Sequence, residues 1–338
     1  YKQRLTLELL SNEHDKLLID MTIVKASDNI ANLVNSSKLY EIEIDYSSTK
    51  LNKSLLPQIL LEAEKIKKVM IGSDIIIMKE LETKILEKYK TLTYGNSSDN
   101  SNSLYSMQPI SAEVQHIVDI IPNKYSVTDK ADGDKYQLFI HEGCSYLISN
   151  NLHVKKIDYN ISDMDNTIIE GELIRLVESK KYIFMTFDCL FYKGTDMRNI
   201  SLLQKRLEPL KEVTKKYGFK LYNIKDYSGP FDMIKIKNYY TDCIKDFYTN
   251  LNSEINRIKQ NEYLIHPKLY LFPSGGNMSE CFLFSDLIWL NCTKNTNINC
   301  PYVLDGIIYT AIEQKYTKDK KEQRLSTFKY KPPQTNSL

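Results

Sequence analysis

Hydrophobic and polar positions alternate in three short runs near the start of the chain. These runs are RLTLELL, IDMTIV and YEIEIDY, at residues 4–10, 19–24 and 40–46. Because successive side chains of a β-strand point to opposite faces of a sheet, such alternation predicts strands with one apolar and one polar face. The polar face of the third run carries three acids: Glu41, Glu43 and Asp45. We therefore predict an antiparallel sheet over residues 1–46.

The hydrophobic period changes to that of a helix after this sheet. Between residues 54 and 70 the apolar positions follow helical spacing: Leu55, Leu56, Ile59, Leu60, Ala63, Ile66 and Val69. This spacing predicts a helix with Ser54 as its N-cap and Pro57 in its first turn. A second helix is expected near residues 79–92.

A polar segment, YGNSSDNSNSLYS at residues 94–106, has the composition of a linker. Beyond it, short strand-like runs dominate, and Glu142-Gly143 is expected to form a hairpin turn between two of them. These runs lie at residues 125–129, 135–141, 145–149, 167–174, 182–191, 269–272, 281–290 and 302–310.

Two helices are expected among these strands. Ser201 and Gln204 have the spacing of a capping box, which opens a helix that Gly218 can close. The other helix covers residues 232–251. Many short strands with a few helices predict the α+β class with mainly antiparallel sheets.

The composition of the chain disfavours several kinds of function and site. The 338 residues suffice for two domains, and the net charge of only +2 gives no overall basic field that would indicate nucleic acid binding. The six cysteines include no CxxC pair and the five histidines show no ligand spacing, which disfavours a zinc site or a disulfide framework. No apolar run approaches about 18 residues, so we expect no membrane association and a cytoplasmic setting.

Five short segments of the second region carry charged residues in or beside apolar strands. They are KADG at 130–133, IIEGELI at 168–174, FMTFDCLFY at 184–192, YVLDGIIYT at 302–310 and FKYKPP at 328–333. Each segment has an ordinary structural explanation when taken alone, such as a solvated turn, a polar sheet edge or an edge strand protected by lysines.

Together and in this order, the five segments resemble the motifs of the covalent nucleotidyltransferases, the superfamily of mRNA-capping guanylyltransferases and polynucleotide ligases. The resemblance covers residues 108–333 and implies a ligase-type, ATP-grasp-like nucleotidyltransferase domain. It is nearest to mRNA-capping enzymes of giant DNA viruses of the mimivirus type, in TDKADG, LDGIIYT and the terminal YKPP.

The resemblance implies a role for each motif residue. Lys130 would attack the α-phosphorus of GTP as a neutral amine and become a covalent phosphoramidate. Lys135 would contact the ribose, and Phe187 would stack on the base. Lys329 and Lys331 would favour the neutral amine of Lys130 and neutralise phosphate charge. The remaining implied nucleotide-binding residues are Asp132, Gly133 and Glu172.

A divalent ion, Mg²⁺ or Mn²⁺, is part of the implied chemistry. Glu172 and Asp305 would hold it, because hard cations prefer carboxylate oxygens. Asp305 followed by Gly306 favours the capping branch, since ligases usually have Glu-Gly at this motif. Two alternatives stay open, an ATP-dependent polynucleotide ligase and an inactive nucleotide-binding or scaffold module.

The chain departs from the family pattern at two places. Asp134-Lys135 stands where relatives have x-Arg, and the stretch Ser149-Asn150-Asn151 lacks an expected basic residue. Both departures concern contacts to ribose and phosphate, and neither touches the lysine nucleophile.

The first region resembles a second enzyme of the same relatives. Giant-virus, asfarvirus and poxvirus capping enzymes carry a metal-dependent RNA triphosphatase before the guanylyltransferase, a β-barrel tunnel lined by acids and bases. By this resemblance Glu41, Glu43 and Asp45 would share a metal cluster, and Arg4 and Lys25 would contact triphosphate oxygens. Nothing before Arg4 supplies the earlier Glu-x-Glu strand of such a tunnel, so we expect only the C-terminal part of that domain.

Both resemblances together imply the domain organisation. Residues 1–94 would end a triphosphatase tunnel, 95–107 would be a linker, 108–333 the guanylyltransferase domain, and 334–338 the start of a connection to an OB-fold that the chain lacks. The implied activity is an mRNA guanylyltransferase that transfers GMP to the 5′-diphosphate end of RNA. Its partners would be GTP, the 5′ end of nascent mRNA and a methyltransferase domain or subunit, in the cytoplasm at a viral factory, in the virion, or both.

Overall fold

The computed structural model describes residues 1–50, 53–71, 75–95, 102–122, 124–277, 279–294, 298–319 and 324–331. These residues form two compact units, Tyr1–Ile76 and Ile77–Leu338. The first unit contains one sheet and the second contains two. No helix within the described ranges is long and apolar enough to cross a bilayer.

The first unit is an antiparallel sheet followed by a helix. Its strands are β1 (Lys2–Ser11), β2 (Asp15–Val24) and β3 (Leu39–Ser48), hydrogen-bonded in the order β1-β2-β3. A short helix, α1 (Ile30–Leu33), lies between β2 and β3 in the chain. The register sets Arg4 opposite Thr22 and Asp20 opposite Glu43, so the polar residues share one face. The sheet predicted from alternation is confirmed.

The helix α2 (Leu56–Ile71) follows a 3₁₀ turn at Lys53–Leu55. Ser54 therefore lies inside this turn and is not the N-cap of the helix, since 3₁₀ turns commonly precede an α-helix. Pro57 lies in the first turn of α2, as predicted, where its missing N–H removes no helical hydrogen bond.

The second unit contains a small sheet and a large sheet. The small sheet consists of β4 (Ile110–Ser111), β5 (Tyr125–Ala131), β13 (Leu304–Ala311) and β14 (Phe328–Tyr330). The large sheet consists of β6 (Asp134–His141), β7 (Cys144–Ser149), β8 (Val154–Asn160), β9 (Thr167–Leu176), β10 (Lys181–Tyr192), β11 (Thr195–Asp196) and β12 (Tyr263–Pro267).

Antiparallel pairing dominates both sheets. The strand order is β4-β14-β13-β5 in the small sheet and β11-β10-β9-β6-β7-β8 in the large sheet, where β12 pairs with β10. Among the described strands of this unit only β12 with β10 and β4 with β14 are parallel. The predicted α+β class with mainly antiparallel sheets is confirmed.

The described helices of the second unit are α3 (Lys79–Tyr94), α4 (Leu203–Lys216), α5 (Met233–Arg257) and α6 (Glu280–Thr293). The carboxylate of Asp232 caps α5 by accepting from the N–H groups of Ile234 and Lys235. Gly218, with φ of 82°, follows the end of α4 as predicted.

One hydrophobic core joins the two sheets of the second unit. Val127 of β5 and Ile307 of β13 belong to the same buried cluster as Leu138 of β6 and Phe184 of β10. Phe284 of α6 packs into this cluster as well. Because such cores are close-packed, the two sheets keep a defined separation, and the polar residues beside the core face a cavity between them.

Three local predictions differ from the structure. Residues 281–290 are not a strand but most of α6, since a short apolar run does not distinguish a buried strand from a buried helix. Residues 269–272 form only an isolated bridge, through Leu271, and the neighbouring strand is β12. Ser201 does not cap α4: Leu202 occupies the N-cap without a side-chain hydrogen bond.

The boundary between the units also differs from the predicted position at residue 94. The helix α3 belongs to the second unit, because Ile85 and Tyr89 are buried in a cluster with Phe139 of the large sheet. Residues 96–101 of the predicted linker, and residues 334–338, lie outside the described residues. The rest of the linker packs onto the second unit, where Leu104 is buried in the same cluster.

Candidate active site

A cavity of about 210 Å³ lies between the two sheets of the second unit. The small sheet contributes Lys130 and Ile308, and the large sheet contributes Lys135, Glu172 and Phe187. Gly133, in the turn between β5 and β6, also lines it. The structure thus brings five predicted site residues together around one cavity: Lys130, Gly133, Lys135, Glu172 and Phe187.

Lys130 and Lys331 share one carboxylate at this cavity. The Nζ of Lys130 donates a hydrogen bond to Oδ2 of Asp305, and Nζ of Lys331 lies 2.8 Å from the same oxygen. Burial opposes ionisation of Asp305, but hydrogen bonds from the two lysines outweigh it and lower the pKa of its carboxyl. The predicted nucleophile, one predicted phosphate ligand and one predicted metal ligand therefore lie in direct contact.

Two glycines allow backbones to approach closely here. A Cβ added to Gly306, whose φ is 137°, would lie 2.1 Å from the carbonyl oxygen of Tyr330 on β14. A Cβ added to Gly133 would lie 2.8 Å from the carbonyl oxygen of Leu173 on β9. Gly133 therefore serves close packing against the large sheet as well as the turn predicted from sequence. Asp132, beside it, is exposed, and its N–H donates to the carbonyl of Val303.

Lys329 lies on β14 directly opposite Ile308 of β13. Directly opposite residues of an antiparallel pair share a face, and Ile308 lines the cavity. Lys329 is therefore on the cavity side of the small sheet. It contributes positive charge next to the pair formed by Lys331 and Asp305.

Sequence reasoning missed Lys268, a buried lysine that lines the cavity. Its Nζ donates to Oε2 of Glu172 at 2.7 Å and to the backbone carbonyl of Asp129 at 3.1 Å. Burial alone would lower the pKa of Lys268, but the carboxylates of Glu172 and Asp129 outweigh this and raise it. Burial raises the pKa of the Asp129 carboxyl. The sequence signal was a single lysine inside the apolar run LIHPKLYLF, where an unpaired charge would be costly.

Lys135 and Lys268 both lie near the aromatic ring of Phe187. Their Nζ atoms are 5.7 Å and 5.9 Å from the ring centroid, within the range of cation–π attraction. The next residue, Asp188, is buried, and its carboxylate accepts hydrogen bonds of 2.8 and 3.0 Å from Arg206 of α4. This pair explains the acid that interrupts the apolar strand β10.

A second carboxylate of β9, Glu170, lies beside Lys135. Its Oε1 is 3.0 Å from Nζ of Lys135 and accepts a hydrogen bond of 2.6 Å from Ser106. Its Oε2 accepts from the hydroxyl of Tyr316. Ser106 and Tyr316 carry no sequence signal for this role, because they lie 64 and 146 residues from Glu170 in the chain.

The two predicted metal ligands of this site, Glu172 and Asp305, are both paired with lysines. Within the described ranges no group of three or more His, Cys, Asp and Glu side chains is arranged to hold a metal ion. The donor chemistry still fits a hard cation, because Mg²⁺ in nucleotide sites is commonly held by one or two carboxylates together with the phosphates.

The predicted site of the first unit is only partly assembled. Arg4 lies 2.7 Å from Asp20 and 3.4 Å from Glu43 on the polar face of the sheet. Lys25, the residue after the end of β2, is not part of this group: its Nζ donates to the carbonyl of Val34. Glu41, Glu43 and Asp45 follow one another along β3, and alternate residues of a strand are about 7 Å apart.

Comparison with known proteins identifies the family. Residues 66–266 match the mRNA capping enzyme catalytic domain. The whole chain is 34% identical over 351 residues to a protein described as "probable mRNA-capping enzyme" of Acanthamoeba polyphaga mimivirus, and it spans 28% of that protein's length.

Among solved structures, the chain is similar to a mycobacterial DNA ligase D complexed with ATP and MES, at 12% identity and a TM-score of 0.36, over 67% of this chain and 60% of the other. It is also similar to the ligase domain from M. tuberculosis LigD, at 14% identity and a TM-score of 0.37, over 68% and 59%. The match to the catalytic domain extends over more than half of the 338 residues. The chain therefore belongs to the family of mRNA capping enzyme catalytic domains and is an enzyme of the guanylyltransferase class of nucleotidyltransferases.

Proposed function

We propose that this domain forms a covalent lysine–GMP intermediate on Lys130 and transfers the GMP to the 5′-diphosphate end of RNA. The observation that carries the proposal is the contact of Lys130, which lines the same cavity as Phe187, with the Asp305 carboxylate that Lys331 also contacts. In the first step Nζ of Lys130 attacks the α-phosphorus of GTP, so that a P–N bond forms and the bond to pyrophosphate breaks. In the second step a terminal oxygen of the RNA diphosphate attacks the same phosphorus, so that a P–O bond forms, the P–N bond breaks, and the lysine nitrogen regains a proton and leaves as the amine.

Asp305 is the residue that can accept a proton from Lys130 in the first step. The Asp305 carboxylate is the acceptor in hydrogen-bond contact with Nζ, so it can receive the proton that the attacking amine loses. Lys331 and Lys329 place two further ammonium groups on the same side of the small sheet. Positive charge held there stabilises the negative charge that develops on the phosphate oxygens.

The walls of the cavity support guanine as the base. Phe187 of the large sheet and Ile308 of the small sheet both line it, which allows a flat base to stack on an aromatic ring. Lys268 places a buried ammonium near that ring, and an ammonium group only donates hydrogen bonds. Guanine offers O6 and N7 as acceptors, whereas adenine has the N6 amino donor in the place of O6. The N6 amino group of adenine and the Lys268 ammonium are both donors and cannot hydrogen-bond to each other. This disfavours the ligase alternative, which requires ATP.

Glu172 and Asp305 are the residues that would hold Mg²⁺ or Mn²⁺ together with the nucleotide. When bound, such a cation supplies charge neutralisation to the pyrophosphate leaving group. Each carboxylate contacts a lysine, Glu172 through Lys268 and Asp305 through Lys130 and Lys331.

The acceptor in this proposal is the 5′ end of nascent mRNA. The triphosphatase activity, a methyltransferase partner and a location in the viral factory or virion stay predictions, since this chain spans 28% of the length of the mimivirus relative. For the triphosphatase, the support is the polar face on which Arg4 contacts Asp20 and Glu43.

The proposed activity is tested by incubation with α-³²P-labelled GTP or ATP and a divalent ion, followed by a denaturing gel. A labelled GMP adduct supports the guanylyltransferase, an AMP adduct would assign the protein to the ligases, and no adduct would favour an inactive nucleotide-binding module. Release of the label as GMP-capped product on addition of 5′-diphosphate RNA tests the second step.

A further inference from the structure

Residues 104–109 form one wall of the cavity; 104–107 end the segment predicted to be a linker, and 108–109 begin the predicted guanylyltransferase domain. Met107, Gln108 and Pro109 line it together with Lys135 and Phe187. These residues lie upstream of the nucleophile and belong to none of the five motifs. We refer to residues 104–109 as the wall segment.

Hydrogen bonds from the large sheet and α3 hold the wall segment from behind. The hydroxyl of Tyr89 donates to Oε1 of Gln137 at 2.7 Å and accepts from the N–H of Tyr105 at 3.0 Å. The side-chain amide of Gln137 in turn donates to the carbonyl of Tyr105 at 2.7 Å. Tyr89 and Gln137 are both buried, so this attachment is shielded from water.

A second set of hydrogen bonds connects the wall segment to Glu170. Ser106 donates to Glu170 at 2.6 Å, and the hydroxyl of Tyr316 donates to the other carboxylate oxygen. The same hydroxyl accepts from the N–H of Met107 at 3.1 Å. Burial, and then the nearby charge of Glu170, raise the pKa of Tyr316, so its hydroxyl remains a donor to the carboxylate.

The wall segment and Glu170 together hold the ammonium group of Lys135. Its Nζ donates to the carbonyl oxygen of Met107 at 2.7 Å and lies 3.0 Å from Oε1 of Glu170. An ammonium group has three N–H donors, so these two contacts leave one for a ligand in the cavity that Lys135 lines. Lys135 thus has two acceptors, the Glu170 carboxylate and the Met107 carbonyl. Ser106 and Tyr316 both donate to the carboxylate, and Tyr316 also binds the backbone N–H of Met107.

We propose that Ser106 and Tyr316 are positioning residues for the sugar of the nucleotide, which fix the Lys135 ammonium so that its remaining N–H meets a ribose hydroxyl. The proposal rests on the proposed function, because it takes a ribonucleotide as the ligand of the cavity. It adds that the wall segment is part of the nucleotide site. Neither Ser106 nor Tyr316 touches the reacting phosphorus; both act through Lys135.

The proposal predicts a selective loss in two variants. Tyr316→Phe removes the donor to Glu170 and the acceptor for the Met107 N–H, and Ser106→Ala removes the other donor to Glu170. Native protein should bind GTP about tenfold more tightly than the weaker of 2′-deoxy-GTP and 3′-deoxy-GTP, as expected for a hydrogen bond from a charged donor. In both variants this preference should fall to about twofold or less, through weaker binding of GTP and nearly unchanged binding of the deoxy analogue.

The measurement is isothermal titration calorimetry of GTP and both deoxy analogues with each protein. Tyr217→Phe is the matched control, because Tyr217 is another buried tyrosine whose hydroxyl is hydrogen-bonded to a serine, Ser145, at a place that does not line the cavity. Ser106→Thr keeps the hydroxyl and should restore the preference that Ser106→Ala loses. The control should show the native preference.

Three results would overturn the proposal: a native protein without preference for the ribose hydroxyls, equal weakening of all three nucleotides in the variants, or the same loss in Tyr217→Phe. The labelling assay on the native protein separates this failure from failure of the proposed function. If a GMP adduct forms but the protein shows no ribose preference, only the positioning role is refuted. If the ribose preference depends on Tyr316 but no adduct forms, the positioning role is supported and the covalent step is refuted.

Discussion

Both units place acids and bases on one face of an antiparallel sheet, but the two faces differ in burial. In the first unit Arg4 contacts Asp20 and Glu43 while 42% of its side chain is exposed. In the second unit Lys268 contacts Glu172 while only 3% of its side chain is exposed. Although Asp20 is buried, the Arg4 side chain therefore keeps contact with solvent, whereas the Lys268 ammonium is shielded from water, which strengthens its interaction with Glu172.

The largest expected effect is on covalent labelling, after removal of the proposed nucleophile Lys130 from the buried site. Lys130→Ala should reduce covalent labelling by GTP below detection, because no other amine at the cavity occupies its place on β5. Labelling is measured on a denaturing gel, and the fold is checked by the thermal unfolding midpoint. Lys124→Ala, an exposed lysine that precedes the same strand, is the control and should label within about twofold of the native protein. Undiminished labelling of the Lys130 variant would assign the nucleophile to another residue.

The next effect concerns the stability of the buried pair. Lys268→Met leaves the carboxylates of Glu172 and Asp129 without their ammonium partner and should lower the free energy of unfolding of the second unit by about 3–5 kcal/mol. Urea unfolding followed by fluorescence of Trp289, the single tryptophan of the chain and a residue of α6, measures it. Adding Glu172→Gln should recover part of the loss. A loss below about 1 kcal/mol would mean that the buried and exposed pairs are equivalent.

A smaller, pH-dependent effect is expected at Asp305. The folded-state pKa of this carboxyl is lowered, so its contribution to stability is complete above its ordinary value of 3.8 and is lost as the pH falls through the lowered value. The difference in stability between native protein and Asp305→Asn should therefore be constant near neutral pH and shrink in acid. Labelling by Asp305→Asn should fall by about tenfold or more, with an altered metal titration. A stability difference that grows on acidification would contradict the assignment.

The smallest effect is expected on the open sheet. Arg4→Met should change the free energy of unfolding of the first unit by at most about 1 kcal/mol, because the Arg4 side chain is 42% exposed and the buried Asp20 keeps its hydrogen bond from Thr6. Hydrogen exchange of the β2 amides reports on this unit separately from Trp289. High salt should reduce the small difference further. A change of several kcal/mol would show that the polar face of this sheet is shielded from water.

Features that depend on neighbouring residues in the chain could be predicted from the sequence, whereas features that depend on contacts between distant residues could not. Alternation along β1 and β3 is a local pattern, so the sequence predicts these strands directly. The five motif segments are informative only through their order along the chain, and the role of Lys130 as nucleophile stays a prediction. The helix α6 was misassigned because an apolar run of its length satisfies strand and helix equally. Residues such as Lys268 and Tyr316 were missed because their roles depend on partners 96 and 146 residues away.

The close approach of Gly306 to the backbone of Tyr330 restricts which residues can follow Asp305. Lys130 on β5 and Lys331 after β14 reach one oxygen of Asp305 from opposite neighbours of β13. A methyl group at residue 306 would collide with the carbonyl of Tyr330 and push β14 outward, carrying Lys331 with it. The positions of the acid and of the glycine after it are thus linked: Asp305 contacts both lysines only at the strand spacing that the absence of a Cβ at Gly306 permits. An alanine scan of this motif should find Gly306 as intolerant of change as Asp305, although the glycine has no side chain to contribute.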